Sequence, residues 1–400
     1  MRIITINCGS SSVKARLYAA GGDELDEIAR ASVQQIGDAP VLRAFVDGTE
    51  RAPQHLDAGD YAGAIAAIVE TFGDCRRVAA VGHRVVYGGS YRDAVIIDSN
   101  VMDAIERGAG LAPLHNAPAL RGILAASAQM PGVPMAAVFD TQFHATIPPV
   151  AAEYALPRAE AARHGLRRIG YHGLAHQSIM ERFAEAIGRP ASGLNLITLQ
   201  LGNGCSATAI AGGVSVDTSM GFTPLEGLMM ATRPGDIDPG ALVFMMRAEG
   251  LNADALDDML NHRSGLHGVS GVSGDVRTVL EAERMGDVRA HLAIEMFCYR
   301  IRKYIGAYLA VLGRVDAVLF GGGIGEHQPE IRRRVCDPLR PLGLRLDGDR
   351  NTRVNGGAAG VISDDASPIA VWVVPTDEER IIARETHRLV RAAGSGGSDG

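Results

Sequence analysis

The chain holds 400 residues, 39 of them basic and 46 acidic, for a formal net charge of −7. That length supports two domains with cores of their own, and the mild acidity excludes the basic face a nucleic-acid backbone requires. Only Lys14 and Lys303 are lysines, and neither a G-x-x-x-x-G-K-[ST] loop nor a V-A-I-K-like strand occurs, so a P-loop NTPase and a protein kinase are excluded. In chain order, short apolar runs predict strands over Arg2–Asn7, Val13–Ala19, Val78–Gly82, Pro134–Phe139, Leu194–Leu201, Ser206–Ile210, Val315–Phe320 and Ile369–Val374. Between and after them, helical spacing predicts helices over Ala117–Gln129, Gly240–Glu249, Asp287–Leu312 and Asp377–Arg391. The longest should bury the stripe carrying Leu292, Met296, Tyr299 and Ile305. This alternation is that of an α/β protein. Residues Ala392–Gly400 (AAGSGGSDG) read as a flexible tail.

Glycine is abundant, 49 residues without a collagen-like period, and so belongs to turns and close-approach loops. The five cysteines are scattered and never spaced C-x-x-C, which fits a reducing cytoplasm. No apolar signal-peptide core opens the chain, and no run of eighteen apolar residues crosses a membrane.

Two distant segments echo one another. ITINCGSSSVKA near the start and TLQLGNGCSATA from Thr198 both read as strand, glycine- or serine-rich turn, strand. In the first turn, small residues admit an anion, Ser10 and Ser12 carry hydroxyls, Lys14 adds a point charge, and Asn7 offers an oxygen to a cation. Gly202-Asn203-Gly204 follows the same logic in the second. A third loop, Gly321 to Glu326, lies between an apolar strand and a helix and suits a nucleotide. A dinucleotide-binding fingerprint is absent, because no G-x-G-x-x-G follows the first strand. Charged segments stand between these loops: HRVVYGG with Arg84, FDTQFH with Asp140, and DTSMGFTPLEG leading to Arg233. His172 and His176 sit four apart like zinc ligands on a helix, but the residue after His172 is Gly173 rather than the glutamate a zincin needs.

Together these segments resemble the acetokinase family, within the actin, hexokinase and Hsp70-like fold group. The resemblance runs from Arg2 to about Arg384 and includes Asn7-x-Gly9-Ser10-Ser11-Ser12-x-Lys14, HRVVYGG, LAPLHN, FDTQFH, LGNG, SGVSGDVR, GGIGE, PTDEE and the specific stretch DTSMGFTPLEGLMMATRPGDID. It implies two duplicated ribonuclease-H-like α/β domains around a central cleft: 1–143 with 379–393, and 144–378, followed by a tail at 394–400. It also implies reversible transfer of the ATP γ-phosphoryl to acetate, giving acetyl phosphate and ADP, by a Mg²⁺-dependent homodimer, with Mn²⁺ a substitute metal. By the same resemblance Asn7 and Glu378 hold the metal, and Lys14, Ser10 and Ser12 face the nucleotide phosphates with Gly202, Asn203 and Gly204. Asp275, Val276 and Arg277, with Gly323, Ile324, Gly325, Glu326 and His327, resemble the adenosine-binding segments. Arg84 resembles the carboxylate holder, His172 and Arg233 the transition-state stabilisers, and Asp140 the active-site acid. Val86, Leu114, Tyr171 and Pro224 fall at the methyl pocket. Departures are Gln200 and Tyr87 for histidine, His327 for asparagine, Leu174-Ala175 for Thr-Ser, and Tyr171 for phenylalanine. Competing readings are a propionate or butyrate kinase, an actin- or Hsp70-like ATPase, and a carbohydrate kinase.

Overall fold

The computed structural model describes residues 1–22, 24–57, 59–73, 77–108 and 113–395. Two compact units emerge: Met1–Gln142 with the chain from Asp377 onward, and Phe143–Thr376.

The strands of the first unit are β1 (Arg2–Cys8), β2 (Ser12–Gly21), β3 (Glu24–Gln34), β4 (Val41–Val46), β5 (Thr49–Glu50), β6 (Gln54–His55), β7 (Val78–Val85), β8 (Val95–Ile96) and β9 (Met135–Phe139). They form one sheet in the order β5-β4-β3-β2-β1-β7-β9-β8, with β6 beside β4. β1 to β4 run antiparallel, β1, β7 and β9 parallel, and β8 antiparallel to β9. The central strands are nearly continuous apolar runs because both sheet faces are covered. Ile4 and Ile6 pack against Tyr61, Ile65 and Ile68 of the helix Tyr61–Phe72, while Ile3 meets Ala383 of the helix Glu378–Ser395. Adjacent residues of a strand face opposite ways, so one apolar run serves two helix layers. Asp60 starts the first of these helices by accepting from Gly63 N–H at 2.8 Å, and Gly73, at φ +81°, ends it. Gly82 decides how the last helix seats: a Cβ there would collide with Thr386 and Ile382.

The second unit repeats the topology. Its strands β10 (Asn195–Leu201), β11 (Cys205–Ala211), β12 (Val214–Thr218), β13 (Ala317–Gly321), β14 (Gly360–Val361) and β15 (Ala370–Val373) are ordered β12-β11-β10-β13-β15-β14. β10 to β12 are antiparallel, β10, β13 and β15 parallel, and β14 is a short antiparallel edge. Strand for strand this matches β3-β2-β1-β7-β9-β8. The two echoing segments are therefore the equivalent hairpins, β1–β2 and β10–β11, each with a three-residue turn.

The strands expected from sequence are present, and β3 to β6 add a wing that alternation alone had not flagged. Two expectations are corrected. The helix Val288–Leu312 buries Ala290, Ile294, Phe297, Ile301, Ile305 and Tyr308, leaving Leu292 and Tyr299 more than half exposed. Ile305 is buried as expected, but the face of Leu292 and Tyr299 satisfies a 3.6 period as well as the buried one does, and packing against β11 and the neighbouring helices chose the latter. The final helix continues through Ser395, so Ala392–Ser395 are helical rather than part of a tail; alanines at 392 and 393 extend a helix readily. Gly396–Gly400 lie outside the described residues.

Candidate active site

In the first unit, β1 ends at Asn7 and Cys8, and Asn7 stands opposite Lys14 in the β1–β2 register. Gly9 N–H closes the turn on Ser12 O at 2.8 Å. The Tyr61 hydroxyl lies 2.6 Å from Gly9 O and 2.9 Å from Ser10 O, which ties the turn's carbonyls back toward the helix beneath. Ser10 and Lys14 are exposed and Ser12 partly buried.

Arg84 leaves the C-terminal end of β7, and Asp140 follows β9, its neighbour. Arg84 Nη2 donates to Asp140 Oδ2 at 2.9 Å, and Arg84 Nε lies 3.1 Å from Glu378 Oε2 in an ion pair without hydrogen-bond alignment. Burial alone would lower the Arg84 pKa; Asp140, Glu378 and Glu379 outweigh it and leave it raised. Burial, with Asp140 and Glu379 adding repulsion, pushes Glu378 up to about 7 against the opposing pull of Arg84 and Lys14. A buried carboxyl so strained for charge is one that a cation would return to its ionised form. Among the described residues no group of three or more His, Cys, Asp or Glu is placed to hold a metal ion. The Asn7 carboxamide and the Glu378 carboxylate are oxygen donors, the type a small hard cation takes. Val86 is buried just beyond Arg84. Leu114 opens the helix Pro113–Gln129, but its side chain lies outside what is described.

In the second unit, the turn Gly202–Gly204 is closed by Gly202 N–H to Gly204 O at 3.1 Å, and Ala231 N–H holds Asn203 O at 3.0 Å. A Cβ on Gly204 would lie 3.3 Å from His172 Nε2 and 3.8 Å from Arg233 Nη1, so glycine keeps that side of the turn open beside both. His172 caps the helix Gly173–Ala186 in a left-handed conformation, φ +58°, uncommon outside glycine. His172 and His176 share Ser206 Oγ, at 2.9 and 2.7 Å, so the four-residue spacing serves a buried hydroxyl. Among the described residues, Arg233 Nη1 meets only Pro224 O at 3.3 Å and Met230 Sδ at 3.8 Å. Burial lowers its pKa, and no carboxylate among the described residues pairs with it. A largely buried guanidinium without an acid partner calls for an anion from outside. Tyr171 is buried and donates its hydroxyl to Phe222 O at 2.8 Å, which satisfies the polar atom that distinguishes it from phenylalanine.

A pocket of about 440 Å³ opens beside the same turn. Gly202 and Asn203 line it, with Asp275, Val276 and Arg277 at the start of the helix Val276–Arg284 and Gly323, Ile324 and His327 of the helix Gly322–His327. Gly274 and Gln328 complete the lining and were not read from the sequence. Gly204, Gly325 and Glu326 do not line it. Gly322 enters its helix at φ +72°, and a Cβ there would meet Leu201 backbone at 2.6 Å. Thr376 Oγ1 receives Gly322 N–H at 3.2 Å and donates to Gln200 Oε1 at 2.9 Å, while Glu326 Oε1 receives Thr376 N–H at 3.1 Å. Gln200 thus anchors the loop through a neutral amide where the resembling family commonly has histidine.

Sequence reading also missed two supports. Asn116 bonds Tyr87 N–H at 3.1 Å and Tyr87 O at 2.8 Å, fixing the backbone after Val86; it lay inside the LAPLHN match with no role assigned. Arg332, fully buried, holds Gly325 O at 2.8 Å and Glu326 O at 3.0 Å, and in a run of three arginines nothing local marks it.

Residues 2–384 match the model of the acetokinase family. The chain belongs to that family. It is 43% identical over 400 residues, 98% of this chain and 100% of its relative, to an acetate kinase of Natranaerobius thermophilus. The crystal structure of Porphyromonas gingivalis acetate kinase superimposes with a TM-score of 0.88 at 39% identity, covering 97% of this chain and 99% of that one. A propionate kinase from Francisella tularensis has the same TM-score at 35% identity, again covering 97% and 99%. These acetokinase structures share the actin/hexokinase-like fold, so the paired hairpins, parallel strands and edge strand of each unit are its duplicated α/β core.

Proposed function

We propose that this acetokinase transfers the γ-phosphoryl of ATP reversibly to acetate, giving acetyl phosphate and ADP. The observation that carries the proposal is Arg233: a guanidinium without a carboxylate partner among the described residues, beside His172 and the turn Gly202–Gly204. The acceptor is ionised at neutral pH, its pKa being near the ~4.3 of a side-chain carboxyl. No base is needed to make it nucleophilic. The obstacle is repulsion, about 4 kcal/mol per pair of unit charges at 4 Å and an effective dielectric of 20. In this reading Arg84 binds the acetate carboxylate, and Asp140 orients Arg84 rather than removing a proton, consistent with their 2.9 Å bond. Arg233 and His172 meet the charge that gathers on the equatorial oxygens during direct in-line displacement. The pocket at Asp275–Arg277 and Gly323–His327 takes the adenosine, and the turns carrying Ser10, Ser12, Lys14 and Gly202–Gly204 take the phosphates. Asn7 and Glu378 would hold Mg²⁺, or Mn²⁺ in its place, which when bound neutralises charge on the phosphate oxygens. Val86, Leu114, Tyr171 and Pro224 would surround the methyl group.

The working form is proposed as a cytoplasmic homodimer. Free, buried Cys8, Cys205, Cys298 and Cys336 fit a reducing compartment, and no helix among the described residues is long and apolar enough to cross a membrane. The helix Pro239–Glu249 buries none of its side chains although it carries Leu242, Val243, Phe244, Met245 and Met246, and Phe244 is 70% exposed. With Leu292 and Tyr299, this is apolar surface that a second copy would cover.

The test is formation of acyl phosphate, trapped with hydroxylamine, from ATP and acetate, propionate or butyrate. The highest kcat/KM is expected with acetate. Propionate should follow at a disadvantage of one methylene, worth ~1–3 kcal/mol. ATP hydrolysis without acyl phosphate would refute the proposal, and preference for propionate or butyrate would move it to the longer-chain kinases.

A further inference from the structure

We propose that Thr198, His176 and Ser206 form a one-way hydrogen-bond relay that keeps the proton of His172 on Nε2, making them positioning residues for the phosphoryl donor; the inference rests on the role given to His172 above. Thr198 Oγ1 lies 2.7 Å from His176 Nδ1, His176 Nε2 lies 2.7 Å from Ser206 Oγ, and Ser206 Oγ lies 2.9 Å from His172 Nδ1. These are good hydrogen-bond lengths, and Thr198, His176 and Ser206 are fully buried. β10 carries Thr198, β11 carries Ser206, and the helix Gly173–Ala186 carries His176 one turn beyond His172.

A serine hydroxyl has one hydrogen and cannot donate to both imidazoles; were it to accept from both, that hydrogen would have no acceptor among the described residues, so the chain runs in one of two directions. In the first, Thr198 donates to His176 Nδ1, His176 Nε2–H donates to Ser206, and Ser206 donates to His172 Nδ1. In the second every bond is reversed, and Thr198 becomes the terminal acceptor. Its own hydrogen then needs another acceptor, and among the described residues its hydroxyl has none besides His176. Its cross-strand neighbour Thr208 is no outlet, because no hydrogen bond joins the two hydroxyls; Thr208 bonds instead to Thr218 at 2.9 Å, and Thr218 donates onward to Ala207 O at 3.1 Å. The reversed chain therefore strands a buried donor, whereas in the first every side-chain hydrogen of the three fully buried residues has an acceptor.

The relay also needs His176 neutral, with one donor and one acceptor nitrogen. Burial holds its pKa well below the ordinary range, reinforced by His144 and His172. With Nδ1 of His172 accepting, the ring's proton resides on Nε2, the nitrogen beside Gly204 on the side where Arg233 lies. An N–H there can donate to a phosphoryl oxygen, whereas the opposite neutral tautomer would oppose a lone pair to it. A parallel bond holds the backbone in place: Tyr171 O accepts from His144 Nε2–H at 3.1 Å, leaving His144 Nδ1 to Ser215 Oγ at 2.9 Å.

The test is a long-range ¹H–¹⁵N spectrum of the full-length protein labelled in histidine, with signals assigned through His172→Gln and His176→Gln. Both rings should show the Nε2–H tautomer at neutral pH. Thr198→Val keeps the shape and removes the hydroxyl; it should shift His172 toward mixed tautomers and lower kcat on the order of tenfold, with nucleotide KM changed less than twofold. Thr198→Ser should recover the wild-type signature and most of the turnover. A proton on Nδ1 of His172 in the wild type overturns the relay, and this reading does not depend on any variant folding. An unaltered spectrum and kcat in Thr198→Val overturn it as well. If His172→Gln forms acyl phosphate at the wild-type rate, the role of His172 fails and the positioning claim with it; an inactive His172→Gln alongside a wild-type Nδ1–H signal leaves that role standing and removes the relay alone.

Discussion

Replacing Arg332 with methionine probes how the fold holds open the pocket proposed for the nucleotide. The Arg332 guanidinium is fully buried and donates to Asn351 Oδ1 at 2.7 Å, Asn351 O at 2.6 Å, Val354 O at 2.9 Å, Gly325 O at 2.8 Å and Glu326 O at 3.0 Å. Among the described residues no carboxylate balances it, and burial lowers its pKa to about 10. Its partners are carbonyls where the helices Gly322–His327 and Gly348–Arg353 end, so helix dipoles supply the compensating negative potential. Hydrogen bonds to a charged group contribute ~1.5–3 kcal/mol each, but methionine also abolishes the desolvation cost of the cation, and the two effects oppose. The orphaned carbonyls remain, so the net loss should be about 3 kcal/mol. At roughly 2–4 °C per kcal/mol for a cooperative block of this size, Tm should fall roughly 6–12 °C. Because Arg332 holds Gly325 and Glu326, while Gly323, Ile324 and His327 line the pocket, KM for ATP should rise more than KM for acetate. Lysine, with three donors and no planar fork, should recover only part of either quantity. Scanning calorimetry and initial rates with each substrate varied measure both effects. An Arg332→Met protein with wild-type Tm and ATP KM would refute the reasoning.

Arg233→Ala should lower kcat about 10–100-fold with a smaller change in acetate KM, whereas Arg84→Ala should mainly raise acetate KM; near-normal turnover in both removes the arginine clamp. Gly204→Ala places a methyl 3.3 Å from His172 Nε2 and should cost about tenfold in kcat with the fold intact by circular dichroism; full activity would show that this side of the turn is not used. His83 is buried, and burial drives its pKa from 6.5 down to about 3. The unfolded chain binds a proton there that the folded chain excludes, so stability is complete above pH 6.5 and declines as pH falls toward 3, by about 2 kcal/mol between pH 7 and 5. His83→Gln should flatten that limb by one proton in urea titrations, and an equally steep limb would assign the acid sensitivity elsewhere. Transfer from ATP chiral at the γ-phosphorus should invert configuration, and retention would indicate a phosphoenzyme.

By itself, the sequence determined the α/β class and the order of the loops, and its two similar hairpin segments pointed toward the duplication. Those depend on local patterning: apolar runs broken by glycine turns read as strands wherever they lie, and ITINCGSSSVKA and TLQLGNGCSATA carry the same hairpin pattern. Asn7, Lys14, Arg84 and Arg233 could be named because charge or a strand-ending oxygen beside a glycine-rich or apolar run is visible in one dimension. Tertiary structure alone decided which of two equivalent apolar stripes of Val288–Leu312 is buried, since the period of a helix does not say where its neighbours stand. It also decided that Gly202, Asp275 and Gly323, distant in the chain, line one pocket, and that Arg332 lies beneath that pocket's loop. The same holds for the polar interior around His172. Thr198, Ser206 and His176 look like ordinary residues of two strands and a helix, and hydrogen-bond direction is a property of the closed chain of donors and acceptors. Only when all of them are buried together does one proton arrangement win, because a hydrogen without an acceptor has no water to turn to.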